Sequence, residues 1–292
     1  NTTCNFKQLR RKKNLQQYIN NNATHHRYKL LKKFALPSIL NQTNKNFEWI
    51  IVNDGGDILT RQLIKELKTT IKISYIETQH TETSFGLCHA RNKALKIASS
   101  DFIVYLDDDN KLLPNFVQWL KLKLKKEPYI KLFIPKQLRR RNVVIAEKIV
   151  KLGKEFVSPS PNSTILDLIT QKELFDSNGF VHCRENAPTW NPEYKIFCDY
   201  EYFLQCLNIY EPDNFKLCSE TQVIYTQTNE GVIGKSNYQE WAEEINSLCD
   251  NSQDYRALNE EALNILKKLA LTWQNKHKQK NIVEAFSMKN NV

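Results

Sequence analysis

The sequence predicts an α/β protein, a mostly parallel sheet flanked by helices and followed by a helical C-terminal extension. Three observations predict it. Strand-like apolar runs take turns with helical stretches of about 10–15 residues through the first half of the chain. Two of those runs, Phe47 to Val52 and Asp101 to Leu106, end in acidic turns, and the carboxyl ends of parallel strands are where such sheets bind ligands. From Tyr238 to about Lys278 the pattern is helical, with no glycine or proline after Gly234.

The elements follow in order. Arg27 to Asn41 carries apolar residues at helical spacing (Leu30, Leu31, Phe34, Leu36, Ile39, Leu40), and Pro37 must kink that helix or sit in its first turn. The strand Phe47–Val52 closes on Asn53-Asp54-Gly55-Gly56, a strong turn signal. Ile58–Leu67 reads as helix, Ile71–Ile76 as an alternating strand, Leu87–Ala98 as helix, and Asp101–Leu106 as an apolar strand running into Asp107-Asp108-Asp109. Pro114 opens a further helix, and Tyr129–Ile134 is a strand. Residues 136 to about 162 read as basic and irregular. Asp199–Tyr210 forms an amphipathic helix and Gln222–Gln227 a late strand. One domain over 1–235 with a helical extension over 236–292 fits this pattern best.

Composition narrows the class. The chain has 292 residues and a formal net charge of +10, with 41% hydrophobic and 25% charged residues, a globular mixture rather than a disordered one. No run of 18 or more uncharged apolar residues suggests a membrane span. The seven cysteines are scattered without a CxxC pair, which argues against a zinc ribbon and, being odd in number, against a complete disulfide framework. Reduced thiols in a cytoplasmic protein are the simpler expectation. The chain begins at Asn1 without a methionine, which suggests a trimmed chain or a missing N-terminal piece. Only 7 glycines occur, so each should mark a place where backbone geometry needs one.

The strongest chemical signal is Asp107-Asp108-Asp109-Asn110. Adjacent carboxylates repel one another unless a cation neutralises them. If the segment is extended, Asp107 and Asp109 point the same way and can grip one divalent ion, Mg²⁺ or Mn²⁺. The alternative is a solvated turn in which Asp107 caps a helix.

The stretch Gly86-Leu-Cys-His-Ala-Arg-Asn-Lys-Ala-Leu-Lys-Ile-Ala-Ser-Ser-Asp-Phe-Ile-Val-Tyr-Leu-Asp-Asp-Asp-Asn, followed by Pro114, resembles the centre of the family-2 glycosyltransferases of GT-A fold. Upstream, Ser38-Ile-Leu-Asn-Gln-Thr and Phe47-Glu-Trp-Ile-Ile-Val-Asn-Asp-Gly-Gly resemble the same family. The N-terminal part also resembles rhamnosyltransferases, and Thr3-Cys4-Asn5 is similar to the "TYN" that ends the family's first strand. On that alignment most of the first strand is missing and an insertion of about 20 residues follows it.

The resemblance implies an inverting, metal-dependent transfer from a nucleotide-diphosphate sugar (UDP-, GDP- or dTDP-linked) to a hydroxyl of a glycan or lipid-linked acceptor. It places Asp54, Gly55, Thr3 and Asn5 at the nucleoside, Arg91 at the diphosphate or bracing an acidic loop, Asp107 at ribose or metal, Asp108 at the nucleotide sugar, and Asp109 as the direct ligand of Mn²⁺ or Mg²⁺. Phe197-Cys198-Asp199-Tyr200-Glu201 resembles the family's "ED" motif, so Asp199 aligns with the base that takes the acceptor proton. Cys198 stands where the family has glutamate, which leaves Glu201 as the alternative base. Gly231-Val-Ile-Gly-Lys-Ser resembles a mobile segment over the nucleotide, where Lys235 would reach phosphate. Trp190 is placed to stack on an acceptor sugar.

The basic runs, Lys121 to Lys126 and Lys136 to Arg141 among them, allow peripheral contact with the inner face of a membrane and do not require it. The absence of a QxxRW motif and of membrane spans argues against a processive synthase. A Mg²⁺-dependent nucleic-acid enzyme and an inactive GT-A binding module are the rivals, although no zinc finger or RNP-like motif supports nucleic-acid binding.

Overall fold

The structure is a computed structural model and describes residues 18–279. The chain starts with strand β1 (Tyr18–Thr24), helices α1 (Tyr28–Lys33) and α2 (Ala35–Leu40), strand β2 (Glu48–Asp54), helix α3 (Ile58–Lys65), strand β3 (Lys72–Thr78), helix α4 (Gly86–Ile97) and strand β4 (Phe102–Tyr105). The short strand β5 (Lys111–Leu112) and helix α5 (Phe116–Lys126) lead into a long strand β6 (Leu132–Ile145), then β7 (Lys148–Lys151), β8 (Phe156–Ser158), helix α6 (Ile165–Ile169) and strand β9 (Val181–Cys183). Helix α7 (Cys198–Tyr210), strand β10 (Phe215–Thr228) and helices α8 (Val232–Lys235), α9 (Tyr238–Asp250) and α10 (Glu260–Lys278) complete it.

The main sheet runs β3-β2-β1-β4-β9-β6-β10-β5, with β7 and β8 pairing the outer part of β6. Strands β3, β2, β1 and β4 are parallel, and β9 enters antiparallel between β4 and β6. Every residue of β2 is buried, as expected for a parallel strand covered on both faces. Trp49, Ile50, Ile51 and Val52 expose none of their surface, and each contributes about 1.5–3 kcal/mol through burial.

Three expectations are corrected. The first strand is not missing: Tyr18–Thr24 fills its slot between β2 and β4. Its Asn20-Asn21-Asn22 run lacks the apolar pattern that marks a strand, but parallel partners on both sides satisfy its backbone. Thr3 and Asn5 lie outside the described residues. The region after Ile134 is not irregular, because β6 continues to Ile145 against β10, β8 and β7. The helix predicted from Arg27 is two helices that break at Phe34, with Pro37 in the first turn of the second.

The C-terminal helices join the same core. Phe197, just before α7, stacks on Trp273 of α10 (ring centroids 5.7 Å apart) and meets Trp241 of α9 edge-on at 6.1 Å. Among the described residues six cysteines are free and buried. No helix among them is long and apolar enough to cross a membrane.

Candidate active site

A cleft of about 900 Å³ opens at the carboxyl ends of β1, β2 and β4 and is closed from the other side by α7, β10 and α9. Asp54, Arg91, Asp107, Asp108, Asp109 and Asp199 all line it.

The first corner is built by β1, β2 and β3. Asp54, at the end of β2, is buried and accepts hydrogen bonds from Thr78 Oγ1 (3.1 Å) and His80 Nδ1 (2.6 Å). His25, just past β1, stacks on His80 with ring centroids 3.8 Å apart, and its Nδ1 donates to the Asp54 carbonyl oxygen at 2.9 Å. The ligand atoms of His25, Asp54 and His80 lie within 4.8 Å of one another, although Nδ1 of each imidazole is already engaged by an Asp54 oxygen. Gly86 is required here, since a Cβ would stand 2.9 Å from Asp54 Oδ2. Gly55 has φ +84 and packs under His25 and His26. Thr24 and His25 thus occupy the corner to which Thr3 and Asn5 were assigned.

The acidic cluster sits in a turn after β4, not in an extended segment, so the alternate-residue pairing of Asp107 with Asp109 does not hold as a strand rule. Asp107 accepts from Arg91 (2.9 Å) and from Asn178 Nδ2 (2.8 Å). Asp108 is buried and accepts from Thr24 Oγ1 at 2.9 Å. Arg27 spans the other two carboxylates: one guanidinium nitrogen lies 2.9 Å from Asp108 Oδ1 and the other pairs with Asp109. Burial, with repulsion from Asp109 and Asp107, raises the Asp108 carboxyl to about 8 against the pull of Arg27 and Thr24. Burial and repulsion from Asp107 also raise Asp109, again opposed by Arg27. Burial works against the charge on Arg27, but the three acids outweigh it and hold the guanidinium above its ordinary value.

Arg91 joins this cluster to α7. It is 2% exposed, donates to Asp199 Oδ1 (3.1 Å), Asp107 Oδ1 and Ser177 Oγ (2.7 Å), and lies 4.3 Å above the Trp190 ring. Its neighbour Asn92 clamps the backbone of Trp190 with two hydrogen bonds of 2.7 and 2.8 Å. Adjacent residues of a helix point about 100° apart, so one turn of α4 serves both tasks. Trp190 is therefore not an acceptor platform. It is 1% exposed and stacked flat on Tyr202, with centroids 3.9 Å apart.

Glu201 also faces away from the cleft. It is buried against Tyr255 OH (2.8 Å) and Gln205 (2.7 Å), and burial raises its carboxyl. Two residues' step round the helix, about 200°, separates it from Asp199, so the two cannot exchange roles. Lys235 is exposed and outside the cleft lining, whereas Gly231, Val232 and Ile233 line it.

Several residues in or just behind the cleft escaped the sequence reading. Glu244 of α9 is half-buried and accepts from the backbone N–H groups of Lys195, Ile196 and Phe197, pinning the start of α7. Burial raises its carboxyl despite those donors. Arg139 pairs with Asp176 (2.9 Å) and stacks on Tyr225. Asn178 donates to both Asp107 and Asp176. The turn signal Asp176-Ser-Asn-Gly179 was present in the sequence, as was Thr24-His-His-Arg27, but neither follows an apolar strand pattern.

Comparison with known proteins agrees with this geometry. A family model described as Glycosyl transferase family 2 matches residues 23–182. An uncharacterized glycosyltransferase of Rickettsia bellii is 36% identical over 93 residues, covering 32% of this chain and 13% of that protein. A protein of Escherichia coli assigned by name to colanic acid biosynthesis, WcaA, is 24% identical over 210 residues, covering 69% of this chain and 70% of its own length. The Campylobacter jejuni GalNAc(5)-diNAcBac-PP-undecaprenol beta-1,3-glucosyltransferase is 34% identical over 134 residues, covering 46% and 40%. Among solved structures, S. aureus TarS 1-349 in complex with UDP-GlcNAc superposes with a TM-score of 0.58 at 14% identity, covering 94% of this chain and 76% of TarS 1-349. The shared feature at that identity is the fold, the GT-A arrangement.

Proposed function

The chain belongs to glycosyl transferase family 2, and on that premise we propose that it is a glycosyltransferase carrying out an inverting, metal-dependent transfer from a nucleotide-diphosphate sugar. The acceptor is a hydroxyl of a glycan or lipid-linked saccharide. The observation that carries this reading is Arg91, which ties Asp107 of the acidic turn to Asp199 at the start of α7. A single buried guanidinium thereby fixes the distance between a donor-side acid and a candidate base.

In this reading Asp54, held by Thr78 and His80, meets the nucleoside. Asp199 takes the proton of the attacking hydroxyl as the new bond forms. The Arg91 bond to Asp199 Oδ1 orients the carboxylate. The buried thiol of Cys198, raised well above its ordinary value chiefly by Cys88 and burial, stays protonated and leaves the proton transfer to Asp199.

The residues fit a divalent cation. Three hard carboxylates follow one another along the turn that lines the cleft, and the fold already sets the cationic Arg27 across two of them. Asp109, with Asp107 across the turn, would hold Mn²⁺ or Mg²⁺, and such an ion would neutralise the departing diphosphate. UDP-, GDP- and dTDP-linked donors are the candidates. UDP is tried first because TarS, of like fold, is solved with UDP and with UDP-GlcNAc.

Thermal shift with Mn²⁺ plus UDP, GDP or dTDP tests the donor side. One nucleotide should stabilise the wild type, and Asp109→Ala should abolish the Mn²⁺-dependent part. Asp199→Asn should keep nucleotide binding and lower kcat about 10²–10⁴-fold. Stabilisation by none of the three nucleotides, or turnover untouched in Asp199→Asn, overturns the corresponding half of the reading.

A further inference from the structure

Beyond the point where it lines the cleft, β6 projects as a two-stranded ribbon with β7, paired through Val144↔Ile149 and Ile145↔Lys148. This ribbon carries surface that a protein in water does not gain by exposing. Thirteen large apolar side chains are exposed among the described residues, and five of them (Ile145, Ile149, Val150, Leu152 and Val157) fall on this ribbon and the segment that returns from it. Exposed apolar side chains scattered singly need no explanation, but a cluster marks a contact surface.

The ribbon is braced, not loose. Asn229 accepts from Val144 N (2.6 Å) and donates to Val144 O (3.0 Å), and Gly153 packs so closely that a Cβ would stand 1.9 Å from the carbonyl oxygen of Arg141.

Charge identifies the occupant. Residues 140–157 hold five cations and two carboxylates, a net +3. Both carboxylates are already taken, Glu147 by Lys29 at 2.7 Å and Glu155 by Arg140. Lys148 and Lys154 remain exposed beside the apolar side chains. Lysines on an exposed edge strand disfavour pairing with a second copy, whereas anionic headgroups attract them. The ribbon also continues the site: Arg141 lines the cleft and Ile145 lies four residues on, about 13 Å along the strand.

We propose that the β6–β7 ribbon docks this protein on an anionic lipid bilayer, its apolar side chains entering the interface and its lysines meeting the headgroups. The open cleft is then held over the surface that carries a lipid-linked acceptor. That last step rests on the proposed function; the docking itself does not.

Co-sedimentation with phosphatidylcholine vesicles, with and without phosphatidylglycerol, tests it. The wild type should pellet with the anionic vesicles and be released by high salt. Ile149→Ser with Leu152→Ser, and separately Lys148→Glu with Lys154→Glu, should each weaken that binding at least about tenfold. None of these four residues lines the cleft, so nucleotide-induced stabilisation should be unchanged in both variants, which also reports that they fold. A wild type that stays in the supernatant, or either variant pelleting like wild type, overturns the proposal. So does a dimer in light scattering that the same substitutions split. Loss of the nucleotide effect in wild type would instead strike the donor reading and leave the docking result standing.

Discussion

Two arginines bridge pairs of carboxylates at opposite sides of the same acidic turn, and they do so in different surroundings. Arg91 comes from the middle of α4, is 2% exposed, and is sandwiched between carboxylates and the rings of Trp190 and Tyr105. Arg27 comes from the residue before the short helix α1, and its side chain is 41% exposed. Its backbone is fixed by bonds from Leu30 N and Leu31 N, at 2.9 and 3.1 Å, to its carbonyl. The first is a permanent part of the core that happens to touch the site. The second is a counter-ion on a long, solvent-reaching side chain, which on the proposed reading another cation displaces. On that reading the same pairing chemistry serves as framework in one place and as a placeholder in the other.

Removing the framework arginine should have the largest effect. Arg91→Met leaves Asp107 and Asp199 without their shared cation, and breaking one side of a buried ion pair costs about 3–5 kcal/mol. Urea unfolding should show that loss, and Arg91→Lys should recover part of the stability but not the geometry of two simultaneous bonds. A loss below about 1 kcal/mol in Arg91→Met would mean the junction is not structural.

The two arginines also differ in how legible they were. Arg91 sits inside an unbroken helical pattern that runs into an apolar strand and three aspartates, so both its element and its neighbourhood follow from local spacing. Arg27 follows a strand whose Asn20-Asn21-Asn22 core gives no hydrophobic period, so the strand and its functional end were placed some 20 residues too early. The same limit explains Trp190 and Glu201. Both lie near Asp199 in sequence, but whether a side chain faces the cleft or the core depends on partners far along the chain: Arg91 and Tyr202 for Trp190, Tyr255 for Glu201. Glu244 shows the converse, a cleft residue on a helix with no local sign of its role, found only because α9 folds back onto the start of α7.

The buried junction extends through Asn178 to Asp176, which gives it a pH signature of its own. Burial, with repulsion from Asp199 and Asp107, raises the Asp176 carboxyl to about 6 despite its pairing with Arg139. Between the unfolded value of 3.8 and about 6 the folded protein holds a proton that the unfolded chain does not. This contribution to stability is therefore complete below the unfolded value and is lost as pH rises through about 6. Asp176→Asn removes it, so the stability of wild type relative to the variant should improve as pH falls from 7 to 4. A shift of this size corresponds to at most about 3 kcal/mol. Unfolding curves at several pH values check the slope, and parallel curves for the two proteins would show that Asp176 titrates normally.

The placeholder should give the smallest and most diagnostic effect, because its removal costs little and frees the acids it covers. The Arg27 side chain is 41% exposed, and ion pairs made by such a group contribute about 1 kcal/mol or less each, so Arg27→Gln should leave the unfolding free energy within about 2 kcal/mol of wild type. The same change removes the cation that competes for Asp108 and Asp109. Free Mn²⁺, followed by electron paramagnetic resonance in the absence of nucleotide, should therefore bind about tenfold more tightly to Arg27→Gln than to wild type. Binding free energies are reciprocal, so if UDP draws Arg27 away from the acids, adding UDP should tighten Mn²⁺ binding in wild type and do so less in the variant. Equal Mn²⁺ affinity in the two proteins would make Arg27 a second framework arginine and erase the distinction drawn here. Weaker affinity in the variant would show that Arg27 positions the acids for the ion, not that it stands in its place.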